Sequence, residues 1–502
     1  MLARRPPHTL RASVRWLGMA LFFFAVLGAG VVRHGDLESS VPKSGSKLSK
    51  IPSELRLKFT EAPELAVTHV KLLGPDAKEV ALGALTVVGK AKVTVVAPIS
   101  GAMVAGKYTV EWEMAGDDGH AVDGKFTFTV LPVAIAQPSQ PAQPEAGTVP
   151  APVPTQAPVA PTTPDPMDPA MVHHDTVSMP SAVGRFNSES VGYVAVRILL
   201  YSALLVVLGT VAFRLAVLPL ASRSAAADAS FVADAARRAA SAGSVAACVL
   251  IGAVLARLVA QSLALNGASE MMNPTRVGAL LTGTKWGWGW FAQLVSSGAA
   301  LYGLSVAGRR AALPSQTRVG WTVLSIAAVI LAFTPALASH AAASQQLRPL
   351  AILMDGLHVA AASGWVGGLF LVVAAGIPAA MAQEKDRRAP AVAALINAFS
   401  PTALGFAATL LGTGLFAAWL HLGGFAALWE AKYGNVLLIK LSALSLVTLT
   451  GAYNWLQVKP ALGSLQGVER LRRSAAFELI VSLVVIVITA VLVATPPPMR
   501  IP

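Results

Sequence analysis

Residues 353–370 read LMDGLHVAAASGWVGGLF, an apolar run interrupted by one carboxylate and one imidazole. The apolar character extends over 351–379, long enough to cross a bilayer as a helix. Asp355 and His358 stand three residues apart, so on a helix they share a face. Ionisable groups at bilayer depth are costly; they turn to the bundle interior, where they pair or mark an ion path. Gly364, Gly367 and Gly368 follow at a spacing that lets two helices approach closely, which reads as packing rather than chemistry.

Working outward, seven further apolar stretches of similar length occur, giving eight expected spans at about 192–216, 241–263, 290–308, 319–339, 351–379, 397–420, 435–456 and 475–494. Only 13% of the residues are charged and 54% are hydrophobic, which excludes an ordinary soluble enzyme. The net charge of +13 does not form a nucleic-acid-binding face, because the basic residues lie between the spans. The loops 217–240, 309–318, 380–396 and 457–474 hold 13 Lys+Arg, against 5 in the alternate loops and tail, which assigns the first set to the cytoplasm. Trp286, Trp288 and Trp290 fall at the opposite boundary and read as an aromatic belt.

Upstream, residues 1–33 combine a basic start with the apolar stretch Trp16–Val32, the layout of a signal peptide or signal anchor. Residues 34–131 change to short alternating runs, including Glu54–Thr60, Ala66–Leu73, Lys92–Ala97, Lys107–Met114 and Lys125–Val130. This pattern predicts an all-β sandwich, Greek-key and cupredoxin- or immunoglobulin-like, ahead of an all-α polytopic bundle of eight transmembrane helices. Residues 132–191 are a Pro/Ala-rich linker that cannot bury enough surface to fold. The linker carries His173 and His174 among methionines, which read either as incidental polar residues or as metal ligands. The only cysteine, Cys248, falls in an apolar run, so an exported domain must be stable without a disulfide.

Apart from His8 all the histidines fall on the expected extracytoplasmic side: His34, His69, His120, His173, His174, His340, His358 and His421. Imidazole is the commonest transition-metal ligand, so a metal handled from outside is the natural reading. In the loop AGDDGHAVDG, Asp118 and His120 flank a glycine that permits a tight turn, and the pair can converge on one ion. An Asp-Gly turn without metal is the plainer alternative. His69 reads as a strand residue with a packing role, and His421 as an interfacial ring beside Trp419. His340 ends the span before Asp355 and His358 at similar depth, so two helices could present both imidazoles to one metal. Met271 and Met272, in the outer loop after the second span, add soft thioethers. Arg257 could pair with Asp355; Glu478 reads as a snorkelling group or as a partner of Lys459 or Arg473.

The run HGDLESSVPKSGSKLSKIPSELRLKFTEAPE with GKYTVEWEMAGDDGHAVDGKFTFTV resembles the CopC family of periplasmic copper-binding sandwiches over 34–130. The segments PALASHAAA (335–343), LMDGLHVAAASGWVGGLF, KYGNVLLIKLSAL (432–444) and ELIVSLVVIVITAVLVATPPP (478–498) resemble its multi-spanning partner family, CopD. The resemblance implies a Cu(II) site of His34, Asp118 and His120, with Glu61 as a weaker neighbour. Met103 and Met114 are the only methionines of the sandwich, so the methionine-rich Cu(I) loop of some members is missing. Arg33 before His34 is a poor cleavage site, and a terminus elsewhere leaves the His34 imidazole without the terminal amine.

Together these readings predict a non-enzymatic copper-handling protein of the bacterial inner membrane, its sandwich in the periplasm. It binds Cu(II) there and carries Cu(I) or Cu(II) across the bilayer through His340, Asp355 and His358, with Met271, Met272, His173 and His174 as relay ligands. Import is the direction implied by the resemblance. Its partners are copper ions, the lipid bilayer and other periplasmic copper carriers; no nucleic acid is expected. Two other classes fit less of the chain: a haem-binding electron-transfer protein using His340 and His358, and a non-transporting module that sequesters or senses copper. No phosphate-binding loop marks an ATP-driven pump.

Overall fold

The computed structural model describes residues 37–89, 92–116, 121–132, 186–309, 313–337, 347–422, 426–461 and 465–495. Alternation decides the first part. In β8 (Gly106–Ala115), Tyr108, Val110, Trp112 and Met114 turn inward while Lys107 and Glu111 face out, as a half-buried strand requires. β8 pairs in antiparallel register with β9 (Ala121–Val130), from Gly106↔Val130 to Ala115↔Ala121.

This hairpin is the centre of a five-stranded sheet in the order β2-β9-β8-β4-β5, with β2 at Lys47–Leu48, β4 at His69–Leu73 and β5 at Glu79–Val80. A four-stranded sheet, β1-β3-β7-β6, packs against it, with β1 at Leu37–Val41, β3 at Glu54–Phe59, β6 at Thr86–Val88 and β7 at Thr94–Pro98. Leu55, Leu57, Phe59 and Val95 from one sheet meet Tyr108, Trp112, Phe126 and Phe128 from the other. The Phe59 and Trp112 rings stand edge to face at 5.0 Å. The expected β-sandwich is therefore present. Met103 and Met114 both lie in its core, 9% and 0% exposed, so neither thioether is available to an ion. The expected strand Ala66–Leu73 begins instead as a 3-10 turn, Leu65–Val67.

Among the described residues seven helices are long and apolar enough to cross a membrane: α1 (Val191–Ala221), α2 (Ala229–Glu270), α5 (Pro314–Leu337), α6 (Arg348–Met381), α7 (Lys385–Leu422), α8 (Lys432–Gln457) and α9 (Gln466–Ala494). Between α2 and α5 lie α3 (Pro274–Gly283) and α4 (Lys285–Ala307). The eight spans read from sequence are one more than these seven. The surplus one, 290–308, falls on α4, whose apolar character is diluted by Gln293, Ser296 and Ser297, all buried. They serve the interior: Arg257 Nη1 donates to Gln293 Oε1 at 3.2 Å, and Gln293 Nε2 donates to Thr334 Oγ1 at 3.1 Å.

The glycines of α6 do what small residues do between membrane helices. A Cβ on Gly367 would lie 2.0 Å from the Leu205 carbonyl oxygen of α1, and one on Gly209 would lie 2.7 Å from Gly367 Cα. Here α6 loosens into a π-helical turn, Ser363–Gly367. The aromatic belt is corrected. Trp286 and Trp290, four apart, face inward at 3% and 5% exposed, and only Trp288 at 66% faces out. The Trp290 indole N–H donates to the Val254 carbonyl at 2.8 Å, so its polar edge is satisfied inside the bundle.

Candidate metal path

The sandwich is seated on the bundle by the Leu65–Val67 turn. Val67 and Ala115 are buried in one apolar cluster with Leu265 and Leu280 of the bundle and with Trp286. The contact is close: a Cβ on Gly283 would lie 2.7 Å from that of Ala66. At its rim the Lys285 backbone N–H reaches Glu64 Oε1 at 3.4 Å, and Arg276 Nη1 lies 3.5 Å from His69 Nε2. Packing is thus the role the structure gives His69, as a strand residue without a ligand set would suggest.

His69 makes this seat sensitive to pH. Burial first, and the Arg276 guanidinium second, hold its imidazole below the ordinary histidine value; Glu113 opposes them and Lys71 adds to them. Undocked, the ring titrates at about 6.5. The docked state therefore binds the proton less readily, so the contact is at full strength above that value and weakens as pH falls through the lower docked one. Hydrogen exchange of residues 65–70 and 274–283 is expected to quicken on acidification, and His69→Gln to flatten that dependence. An equal response in the variant would remove His69 as the cause.

The seated end is also where the candidate ligand segments converge. Leu37, three residues after His34, pairs with Phe59, two before Glu61. Pro63 bridges Gly116, which leads into the loop of Asp118 and His120. Glu61 is thus at the same end of the sandwich as both flanks. His34, Asp118, His120, His173, His174 and His340 themselves lie outside the described residues.

Next to the docked Lys285, Trp286 forms part of the wall of a cavity of about 380 Å³ inside the bundle. Asp355 and His358 of α6 both line it, as the shared helix face predicts, together with Lys440, Tyr433 and His421. The Asp355 carboxylate acts electrostatically on Lys440 and Tyr433. His358 Nδ1 lies 2.9 Å from Thr413 Oγ1 of α7. That hydroxyl already donates to the Thr409 carbonyl at 2.8 Å, so it accepts from the ring. The proton therefore sits on Nδ1 and the Nε2 lone pair is left for a ligand, the arrangement by which an outer partner orients a metal-binding histidine.

Other expectations are placed differently. Arg257 does not pair with Asp355; besides Gln293 it stacks on Trp286, 5.2 Å from the ring centroid. His421 reads from sequence as interfacial, yet its ring packs at 6.3 Å from that of Tyr433 in the cavity wall. Met271 and Met272 occupy the turn between α2 and α3, beside the sandwich seat and away from the cavity lining; Met272 is 69% exposed. Among the described residues no three His, Cys, Asp or Glu side chains cluster as a metal site. Asp355 and His358 therefore share the cavity wall without forming such a cluster among the described residues.

A sandwich without a usable thioether, seated over a histidine-bearing cavity in a polytopic bundle, defines a multi-pass membrane protein with an attached binding module. The chain belongs to the CopC/CopD copper-resistance family, with both parts fused in one polypeptide. Residues 37–131 match the CopC domain, 188–350 the copper resistance protein D-like N-terminal domain, and 393–492 copper resistance protein D. Copper transport protein CutJ of Bacillus subtilis (strain 168) is 24% identical over 499 residues, covering 96% of this chain and 78% of that protein. Copper resistance protein C of Escherichia coli is 30% identical over 132 residues, 22% of this chain and 99% of that protein. The crystal structure of CopC from Methylosinus trichosporium OB3b is 23% identical, covers 20% of this chain and 94% of its own, and has a TM-score of 0.18.

Proposed function

We propose that the sandwich captures Cu(II) outside the membrane through His34, Asp118 and His120, with Glu61 alongside, and passes copper to the bundle, which moves it inward. The observation that carries this reading is spatial. The sandwich end on which the flanks of those ligands converge is the end seated on the bundle, and the seat adjoins the cavity that holds His358. The chemistry agrees at each station. Carboxylate and imidazole suit Cu(II), the state in which the ion is handed on; the soft thioethers of Met271 and Met272, beside the seat, would serve copper that an external reductant has already converted to Cu(I). His173 and His174 of the linker are further relay ligands on this path. Within the cavity, His358 Nε2 and Asp355 receive the ion and His340 completes the set. The copper is cargo, and the chain acts as carrier rather than enzyme. Other periplasmic copper carriers are the partners that would supply it.

The relatives support copper as the cargo, since the names of two of them specify copper transport and copper resistance. Reconstituted in lipid vesicles with the sandwich outward, the protein is expected to accumulate copper in the lumen at low external Cu(II). The double substitution Asp118→Ala and His120→Ala should abolish that accumulation. Lumenal copper that stays at the level of protein-free vesicles, or that ignores the double substitution, would remove the capture-and-transfer scheme.

A further inference from the structure

On the side of the cavity away from the sandwich, α9 carries a polar stripe. Ser474, Glu478 and Ser482 recur every four residues and share one face. They face α8 where it ends in a π-helical turn, Asn454–Val458, a distortion frequent at functional sites. The Asn454 amide is held from both sides: its Nδ2 donates to Glu478 Oε1 at 2.7 Å, and its Oδ1 accepts from the Ser474 hydroxyl. Glu478 is 5% exposed, so neither snorkelling nor a solvated carboxylate describes it.

No cation of the elements packed against it makes an ion pair with Glu478 among the described residues; Arg470 and Arg472 of α9 are exposed, and the others are engaged elsewhere. On α8 and the turn after it, Lys459 stacks on Trp455, 4.3 Å from the ring centroid, and Lys440 faces Asp355 in the cavity. On α9, Arg473 bridges Glu469 at 3.0 Å. On α1, Arg197 donates to the Ser188 carbonyl at 2.8 Å, and Arg214 stacks on Trp321 at 5.7 Å. The segments of α6 and α7 against α9 add no charged partner among the described residues. A buried carboxyl met only by a neutral amide is costly as an anion unless a counter-ion arrives.

Metal is a poor candidate for that ion. The one oxygen of Asn454 is taken by Ser474, and its N–H group, which has no lone pair to offer, points at the carboxyl. Oε2 has no hydrogen-bond partner among the described residues and is free to take a proton. One turn along, Ser482 is 4% exposed and its hydroxyl has no partner among the described residues, yet it lines the cavity. At 1.5 Å rise per residue it lies only about 6 Å along the axis from Glu478, within reach of a single bridging water.

We infer that Glu478 is a proton-exchange site, oriented by Asn454 and Ser474 and linked through Ser482 to the cavity. A proton adds to Oε2 of the carboxylate and leaves from it, with no other bond changed. Its link to cargo movement rests on the copper reading of the cavity; proton binding itself does not.

The test is infrared difference spectroscopy of the full-length protein in lipid, titrated with pH in the absence of copper. A carboxylic-acid carbonyl band that grows and fades with pH is expected, absent in Glu478→Gln, kept in Asp355→Asn and shifted in frequency by Asn454→Ala, which removes the N–H bond to Oε1. Were Glu478→Gln not to fold, the Asn454→Ala shift reads the same group. A band that neither variant alters, or no band at all, would overturn the proton site. In copper-loading vesicles, Glu478→Gln should lose the proton movement that accompanies copper; unchanged proton movement would overturn the link to the cavity. A wild type with the band but no copper movement would instead sink the transport reading alone.

Discussion

Replacing His358 with alanine is expected to reduce copper movement into vesicles to background while leaving Cu(II) capture by the sandwich intact. The ring is the cavity's best-defined donor. Thr413 fixes its tautomer and leaves Nε2 open, and Asp355 lies on the same helix face. Removing an outer partner of a metal-binding histidine costs about 10–100-fold in affinity or activity, so losing the ring itself should cost at least the upper figure. Thr413→Val keeps the size of the side chain but releases the ring, and should fall near the lower figure. Lumenal copper counted by mass spectrometry separates the two. Wild-type movement in His358→Ala would show that copper does not pass through this cavity.

Gly367→Val should have the largest effect on folding. Its Cβ would lie 2.0 Å from the Leu205 carbonyl oxygen, a backbone atom that cannot swing aside, and 3.1 Å from Gly209 Cα. Overpacking a well-filled interior costs about 1–3 kcal/mol, occasionally more, and a backbone clash of this kind should exceed that range. Gly298→Ala is the control, because an added Cβ there meets nothing within 4 Å. The yield of monodisperse protein and its thermal unfolding should collapse for the first and hold for the second. A well-folded Gly367→Val would mean that α1 and α6 are not in the close contact described.

What the sequence made legible follows from how strongly each element's surroundings differ. The strand Lys107–Met114 alternates because one face meets the core and the other water, and the structure places Tyr108, Val110, Trp112 and Met114 inward as read. Stretch 66–73 reads as strand at its start because Ala66 and Val67 are apolar for another reason: they pack on the bundle. The spans were located by composition, but their inward faces were not. A membrane helix is apolar all round, since lipid is as apolar as a neighbouring helix. The inward turn of Trp286, the place of His421 in the cavity wall and the commitment of Arg257 to Gln293 left no trace in the sequence periodicity. Asp355 and His358 could be read because a charge at bilayer depth needs a reason. Glu478 sends the same signal, but from sequence it reads equally as a snorkelling group or as a partner of Lys459 or Arg473, which in the structure are engaged with Trp455 and Glu469.

The seat of the sandwich on α3 changes the kinetics of delivery. Two separately made proteins must find each other by diffusion, and their rate follows the abundance of both. Here the giver already rests on the receiver, so under the proposed scheme hand-over is first order in one molecule and indifferent to expression level. Throughput is then governed by how fast the sandwich lets go, and a loose captor would outpace a tight one.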